Sequence, residues 1–357
     1  MKEKLFVRQF IESDAPAVQH VIHRGLREIN GKDYPAGLIE EYCAYFTLEK
    51  IRSQANSAHM FVAVADDKIV GTGSIAPYWN SKTESILLTI YVLPEYIGRG
   101  VGTEIVKKLE QDEYFLRANR MEIPSSITAT KFYQKMGYSP KNGIIPDDEG
   151  IVRMEKFRNV KLLSEMTLEE LWQLFPIILS PHNPEWKNFY KSEADLLKKH
   201  FGKSAVRIRH IGSTAVEGLP AKPTIDILLE VADNADVAAV RNLAIECGYT
   251  VMAEKTVPEY QLDLCKGYTP LGFSEKVFHL HIRTLGDWDE PYFCEYLKQD
   301  PAKAKEYADL KMKLQMQFKH DRDAYTEAKG EFIRKCVKAA RNTDMNSNSS
   351  KKDFLPL

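Results

Sequence analysis

Three glycines in five residues, Gly98-Arg99-Gly100-Val101-Gly102, stand between an apolar β-type stretch and a helical one. A loop of this make-up turns main-chain N–H groups into one concavity at a helix N-terminus, where partial positive charge collects, and that suits a diphosphate. Ile97, Gly98, Arg99, Gly100, Val101, Gly102 and Thr103 are therefore candidate anion-binding residues, with the glycines permitting close approach and Arg99 adding charge. The loop lacks the Gly-Lys-Ser/Thr ending of an ATP-binding loop, and no acid follows at the spacing of a dinucleotide fold. Taken alone, it is also compatible with a tight strand-to-helix turn.

A second constellation lies further on. His210-Ile211-Gly212-Ser213 ends a strand, and Lys222-Pro223-Thr224-Ile225-Asp226 opens the next, with Asp226 as the one acid in an apolar run. Gly212 and Ser213 suit a phosphate, Asp226 a Mg²⁺ ion, and Lys222 and Arg209 add charge: the parts of a nucleotide-phosphate site. His279 and His281 share one face of a later strand, as site residues or as a surface pair.

The elements that must position these groups follow from periodicity. In the first half, strands are expected at Leu5–Gln9, Met60–Ala65, Lys68–Ala76, Glu84–Val92, Arg120–Pro124 and Ile151–Phe157. Helices are expected after Asp14 as cap, near Leu38–Phe46 and Leu48–Ala55, and over Thr103–Gln111 and Thr128–Met136. This order implies an α/β (α+β) layout around one mixed sheet. In the second half, helices are expected at Leu162–Phe175 with Thr167 as N-cap, Trp186–Phe201 and Asp236–Cys247, and strands at Val206–His210, Thr224–Val231 and Val277–Arg283. Three helices then follow: Tyr292–Lys298, Ala302–Lys319 and Ala324–Arg341. The predicted domains are 1–157 and 163–341, and the polar segment 342–357 is predicted to be disordered.

The stretch Tyr91-Val92-Leu93-Pro94-Glu95-Tyr96 followed by Gly98-Arg99-Gly100-Val101-Gly102 resembles the acetyl-CoA motif of the GNAT acyltransferases, and Ala129 with Phe132-Tyr133-Gln134-Lys135-Met136-Gly137-Tyr138 resembles that family's next motif. The resemblance covers about 157 residues and implies an acetyl-CoA-dependent N-acetyltransferase. It implies that strand Glu84–Val92 splays from its neighbour, that pantetheine pairs with backbone near Ile90 and Val92, and that the diphosphate sits on 97–103. Ile97 stands where the family prefers Gln or Arg, and Ser126 where it often has Asn. Tyr133 matches the position of the family's acid for the leaving thiolate. Glu84 is a candidate base, or a solvated carboxylate. Tyr34, Tyr42, Tyr45 and Phe46 either line the acceptor pocket or pack as core.

The second half, about 163–340, resembles the GrpB-like family, a branch of the nucleotidyltransferase superfamily, and His279-Leu280-His281 and Tyr307 to Lys311 carry part of the match. This implies a nucleotidyltransferase-like α/β domain with C-terminal helices. Of the acids usual in that superfamily, Asp226 fills the second place, Thr224 occupies the first, and a histidine stands near the third. The domain is expected to bind a nucleotide or anion. A catalytically silent sensor and a bifunctional acetyltransferase/nucleotidyltransferase are the other readings.

Lys and Arg total 49 and Asp and Glu 50, so bulk nucleic-acid binding is not expected. The five cysteines form no CxxC pair, which argues against a disulfide framework or a zinc ribbon. The apolar runs are too short to span a bilayer, and no signal-type stretch opens the sequence. A cytoplasmic, bacterial-type protein is expected, with a small-molecule or protein amine as substrate and a homodimer as the default assembly.

Overall fold

The computed structural model describes residues 5–257 and 259–346. Its contacts divide the chain into two units, Met1–Val160 and Lys161–Leu357.

In the first unit, β1 (Phe6–Gln9) leads to α1 (Ala15–Arg24), α2 (Ala36–Tyr45) and α3 (Leu48–Ser57), then to β2 (His59–Ala65), β3 (Lys68–Pro77) and β4 (Glu84–Val92). Next come α4 (Val101–Leu109), the short α5 (Glu113–Leu116), β5 (Arg120–Ser126), α6 (Thr130–Lys135), β6 (Ser139–Pro140) and β7 (Ile151–Phe157). The strands form one sheet in the order β1-β2-β3-β4-β5-β7-β6. Only β4 and β5 pair in parallel; the rest are antiparallel.

The apolar run of β2 explains how the sheet is covered. Successive strand residues face opposite ways. Met60, Val62 and Val64 pack with Val18, Ile22 and Ile51 of α1 and α3. Phe61, Ala63 and Ala65 pack with Val101, Ile105 and Leu109 of α4. Two glycines of β3 set how closely α4 can lie. A Cβ on Gly73 would stand 2.5 Å from Ile105 Cγ2, and one on Gly71 2.7 Å from Ile105 Cδ1.

Asp14 does not cap α1 with its side chain. Its carboxylate accepts from Arg8 at 2.6 Å and from the Ile11 N–H at 2.9 Å, which closes a turn ahead of the helix. Past Arg24 the chain widens into a π-helical turn, Gly25–Ile29.

In the second unit, α7 (Leu168–Leu174) and α8 (Glu185–Phe201) precede β8 (Arg207–Ile211), β9 (Thr224–Val231), α9 (Val237–Glu246), β10 (Thr250–Lys255), β11 (Gln261–Thr269) and β12 (Gly272–Thr284). Helices α10 (Asp289–Gln299), α11 (Pro301–Gln317) and α12 (Arg322–Asn346) complete it. The sheet order is β10-β11-β12-β9-β8, with β9 and β12 parallel. Thr167 caps a helix as expected, its hydroxyl accepting from the Glu170 N–H, so the regular helix of this stretch is α7 alone and the residues ahead of the cap form a separate 3-10 turn, Leu163–Glu165. The segment expected to be disordered from 342 is helical to Asn346; its remainder, 347–357, lies outside the described residues. Among the described residues, no helix is long and apolar enough to cross a membrane.

Ile105 is fully buried between α4 and β3. Ile105→Ala is expected to cost the first unit about 2–5 kcal/mol, read from its denaturant unfolding transition.

Candidate functional site

Strands β4 and β5 share only three residue pairs, Glu84↔Arg120, Ser85↔Met121 and Ile86↔Glu122. Beyond them β5 stays with β7 to its end, Ser126↔Ile151, while β4 stays with β3. A wedge opens between the two strands. Thr89 sharpens it, since its φ of 55° falls where the β3–β4 register slips by a residue. The Gln54 side-chain amide fixes that bulge by donating to Thr89 Oγ1 at 2.6 Å and Ser74 Oγ at 2.8 Å.

The wedge is a cavity of about 470 Å³. Ile90 and Val92 of β4 line it, as do Ile97, Gly98, Gly100, Val101, Gly102 and Thr103 of the loop, and Ser126 and Tyr133 across the gap. Gly98 and Gly100 take φ values of 80° and 87°, and a Cβ on either would meet open space, so the turn is not plugged by side chains. Arg99 is not part of the lining; its guanidinium lies over the Tyr96 ring, 5.3 Å from the centroid. At the cavity's other wall, Gly25 belongs to the π-turn, and a Cβ there would stand 2.8 Å from Tyr91 Cδ1.

Tyr133 is 4% exposed and its hydroxyl has no hydrogen-bond partner among the described residues. Burial, and then Tyr91, push the phenol well above its ordinary pKa, so it keeps its proton.

Glu84 does not line the cavity. It lies at the closed end of the wedge, where Arg120 Nη1 donates to it at 2.7 Å. The same guanidinium holds Glu122 and Glu155, the latter at 2.8 Å. A carboxylate bound in this way is not presented to an amine in the cavity, and among the described residues no carboxylate or imidazole lines the cavity. Tyr34, Tyr42 and Phe46 pack against the α1–α3 core, and none of them, nor Tyr45, lines the cavity. The Tyr34 hydroxyl instead donates to the Gly150 carbonyl at 2.6 Å and accepts from the Ile127 N–H at 2.8 Å.

The second unit brings Asp226, His279 and His281 together on two parallel strands. Asp226 of β9 stands in register with His279 of β12. Asp226 Oδ1 lies 3.2 Å from His279 Nδ1 and 3.9 Å from His281 Nε2. Burial opposes charge on Asp226, but His279 and His281 hold its carboxyl far below the usual range. Asp263 on β11 takes the other His281 nitrogen at 2.8 Å. Against burial, Asp226 and Asp263 together push that imidazole up to about 9. Gly212, φ 71°, backs directly onto Asp226. Ser213 Oγ accepts from Lys311 Nζ at 3.1 Å, and Lys311 is 2% exposed and also donates to the Pro220 carbonyl.

Lys222, Lys311 and Lys329 all lie within reach of the Asp226 charge, and Arg322 Nη2 is 3.0 Å from His279 Nε2 beside it. Burial pushes Lys222 and Lys311 down to about 7 and Lys329 to about 8, with the neighbouring cations adding to it. Arg209 points elsewhere, donating to the buried Glu230 at 2.8 Å. Thr224, at the place of a first acid, is 7% exposed and has no carboxylate to offer. Asp263, Tyr268, Arg322 and Lys329 were not legible as site residues, because they are brought in from β11 and α12 by tertiary packing rather than by any local spacing.

The acetyltransferase (GNAT) family matches residues 23–138, and the family described as GrpB protein matches residues 176–339. The glutamate-rich protein GrpB of Alkalihalophilus pseudofirmus is 32% identical over 161 residues, 44% of this chain and 91% of that protein. The UPF0157 protein YqkA of Bacillus subtilis is 24% identical over 312 residues, 85% of this chain and 83% of that protein. Among solved structures, PaiA N-acetyltransferase of Thermoplasma acidophilum, in complex with coenzyme A, is 19% identical, with 43% of this chain and 99% of that chain covered and a TM-score of 0.38.

A Cβ on Gly212 would stand 2.4 Å from Asp226 Oδ2, in a backbone conformation that side chains rarely adopt. Gly212→Ala is expected to destabilise the second unit by about 1–3 kcal/mol in thermal unfolding, and adding Asp226→Asn should not restore it, because the strain and the crowding both remain.

Proposed function

This chain belongs to the GrpB family through its second half and carries a GNAT-family domain in its first, and on that premise we propose that the first half transfers an acetyl group from acetyl-CoA to an amine while the second holds a phosphate-bearing ligand. The observation that carries the first part is the open wedge between β4 and β5, walled by an unplugged glycine turn on one side and the unpartnered Tyr133 hydroxyl on the other.

Acetyl-CoA supplies an activated acyl thioester. Main-chain N–H groups of 98–103 hold its diphosphate at the N-terminus of α4. The β4 edge offers the backbone groups that β5 does not take, and these pair with the amide-bearing arm. The bulge at Thr89 kinks β4 where its edge lines the cavity. As the amine nitrogen bonds to that carbon and the C–S bond breaks, Tyr133 gives its proton to the sulfur. With no basic side chain among the described residues lining the cavity, the amine's proton leaves through water, and water returns a proton to Tyr133.

For the second unit, the supporting observation is the excess of cations near one carboxylate, Asp226: Lys311 donates to Ser213 at 3.1 Å, Arg322 reaches His279 at 3.0 Å, and Lys222 and Lys329 feel the Asp226 charge. An anion of the phosphate class balances them. Magnesium does not fit. Among the described residues, Asp226 is grouped with two imidazoles rather than with further carboxylates, Asp263 being tied to His281 and Arg283, and a magnesium pair requires bridging oxygen ligands.

Two outcomes are expected. Tyr133→Phe should lower kcat for thiol release with a responsive amine by about 10²–10⁴-fold while leaving coenzyme A affinity unchanged; binding without release from any amine would mark a sensor instead. Sulfate, whose own charge is constant near neutrality, should raise the melting temperature of the second unit at low pH. That effect should fade as pH rises through about 7 to 8, where Lys222, Lys311 and Lys329 lose the protons that attract it. A sulfate effect independent of pH would contradict the lysine cluster as its source.

A further inference from the structure

The side chains beside Asp226 are imidazoles, not further carboxylates. We infer that Asp226, His279 and His281 bind one divalent ion of the nitrogen-preferring class, zinc, cobalt or nickel, in preference to magnesium. One ligand atom from each of the three residues lies within 4.8 Å of the others. A four-coordinate zinc holds nitrogen and oxygen at about 2.0–2.2 Å, so modest side-chain rotation closes the set without moving the sheet. Two imidazoles and one carboxylate suit zinc, cobalt and nickel, whereas magnesium asks for oxygen throughout.

The surroundings orient two of these ligands. Asp263 Oδ1 takes His281 Nδ1 at 2.8 Å and is itself held by Arg283 at 2.7 Å. This aims His281 Nε2 at Asp226, the carboxylate–histidine–metal arrangement in which an outer acid fixes the ring and raises its donor strength. Ion binding displaces the Nε2 proton of His281 to solvent. His279 is held from behind by Tyr268 Oη at 2.9 Å and Arg322 Nη2 at 3.0 Å, with Nδ1 turned to Asp226. With Nδ1 on an ion, the ring's remaining proton would sit on Nε2 and donate to Tyr268 Oη, while Arg322 would keep its bond to that hydroxyl. Both strands are inner members of the sheet, so the ligand positions are built on rigid backbone.

The neighbouring lysines and Arg322 oppose a bare dication, so the ion is read with sulfate present, and the sulfate response alone is known separately. The full chain is titrated with Co²⁺, Zn²⁺ and Mg²⁺, following cobalt visible absorption and the melting temperature of the second unit. Expected are ligand-field bands of a nitrogen-bound, low-coordinate cobalt, their loss on adding zinc, and no competition from magnesium at a hundredfold excess. His281→Ala should weaken cobalt binding at least tenfold and remove the bands. Asp263→Asn, a positioning change that leaves all three ligands, should weaken it about 10–100-fold and alter the band shape. His281→Ala with unchanged far-UV circular dichroism guards against a merely unfolded variant. The inference is overturned if magnesium competes on equal terms, if cobalt shows only its aqueous spectrum, or if a folded His281→Ala variant binds cobalt as the parent does. A chain that answers sulfate but no transition ion would keep the anion reading and reject this one.

Discussion

The first unit depends on the parting of β4 from β5 after three residue pairs. A sheet that stayed closed would spend the inner edge of β4 on β5 and leave no room for a ligand. Three features hold it open. β5 is committed to β7 along its length, the Gln54 amide pins the bulge at Thr89, and α4 sits directly on Gly71 and Gly73 so that its N-terminus points into the gap. The exposed backbone groups on β4 are costly to leave unpaired, and that cost is what a ligand bearing amides can relieve.

The second unit follows a different constraint, the balance of buried charge. Glu230, fully buried, is met by Arg207 and Arg209, and Glu193 by Lys266. Around Asp226 the balance is not closed within the described residues, since lysines and Arg322 outnumber it. Gly212 lets that carboxylate stand against the chain at the turn leading into Ser213. The histidines reach it because β9 and β12 run in parallel and in register, Asp226 beside His279.

Much of this was readable in the residues. The apolar run Met60–Ala65 was legible as a strand, and the Gly98–Gly102 spacing as an open turn before a helix. What escaped was non-local. β10 has mostly exposed side chains and β11 only short alternation, so neither has a strong period. Glu84 read as an available base because Arg120, which binds it, lies 36 residues away in sequence. The four aromatic residues near the acceptor side read equally well as lining or as core, and only packing placed Tyr34, Tyr42 and Phe46 in the core. Lys329 and Arg322 are unremarkable in the pattern of α12 until the fold sets them near Asp226.

The most direct test is amide hydrogen exchange with and without coenzyme A. The account predicts that the cofactor slows exchange at the main-chain N–H groups of 98–103 and along 87–92, with little change on β1 or β7. Unaltered exchange in both segments at a saturating cofactor concentration, or protection confined to another part of the chain, would contradict it.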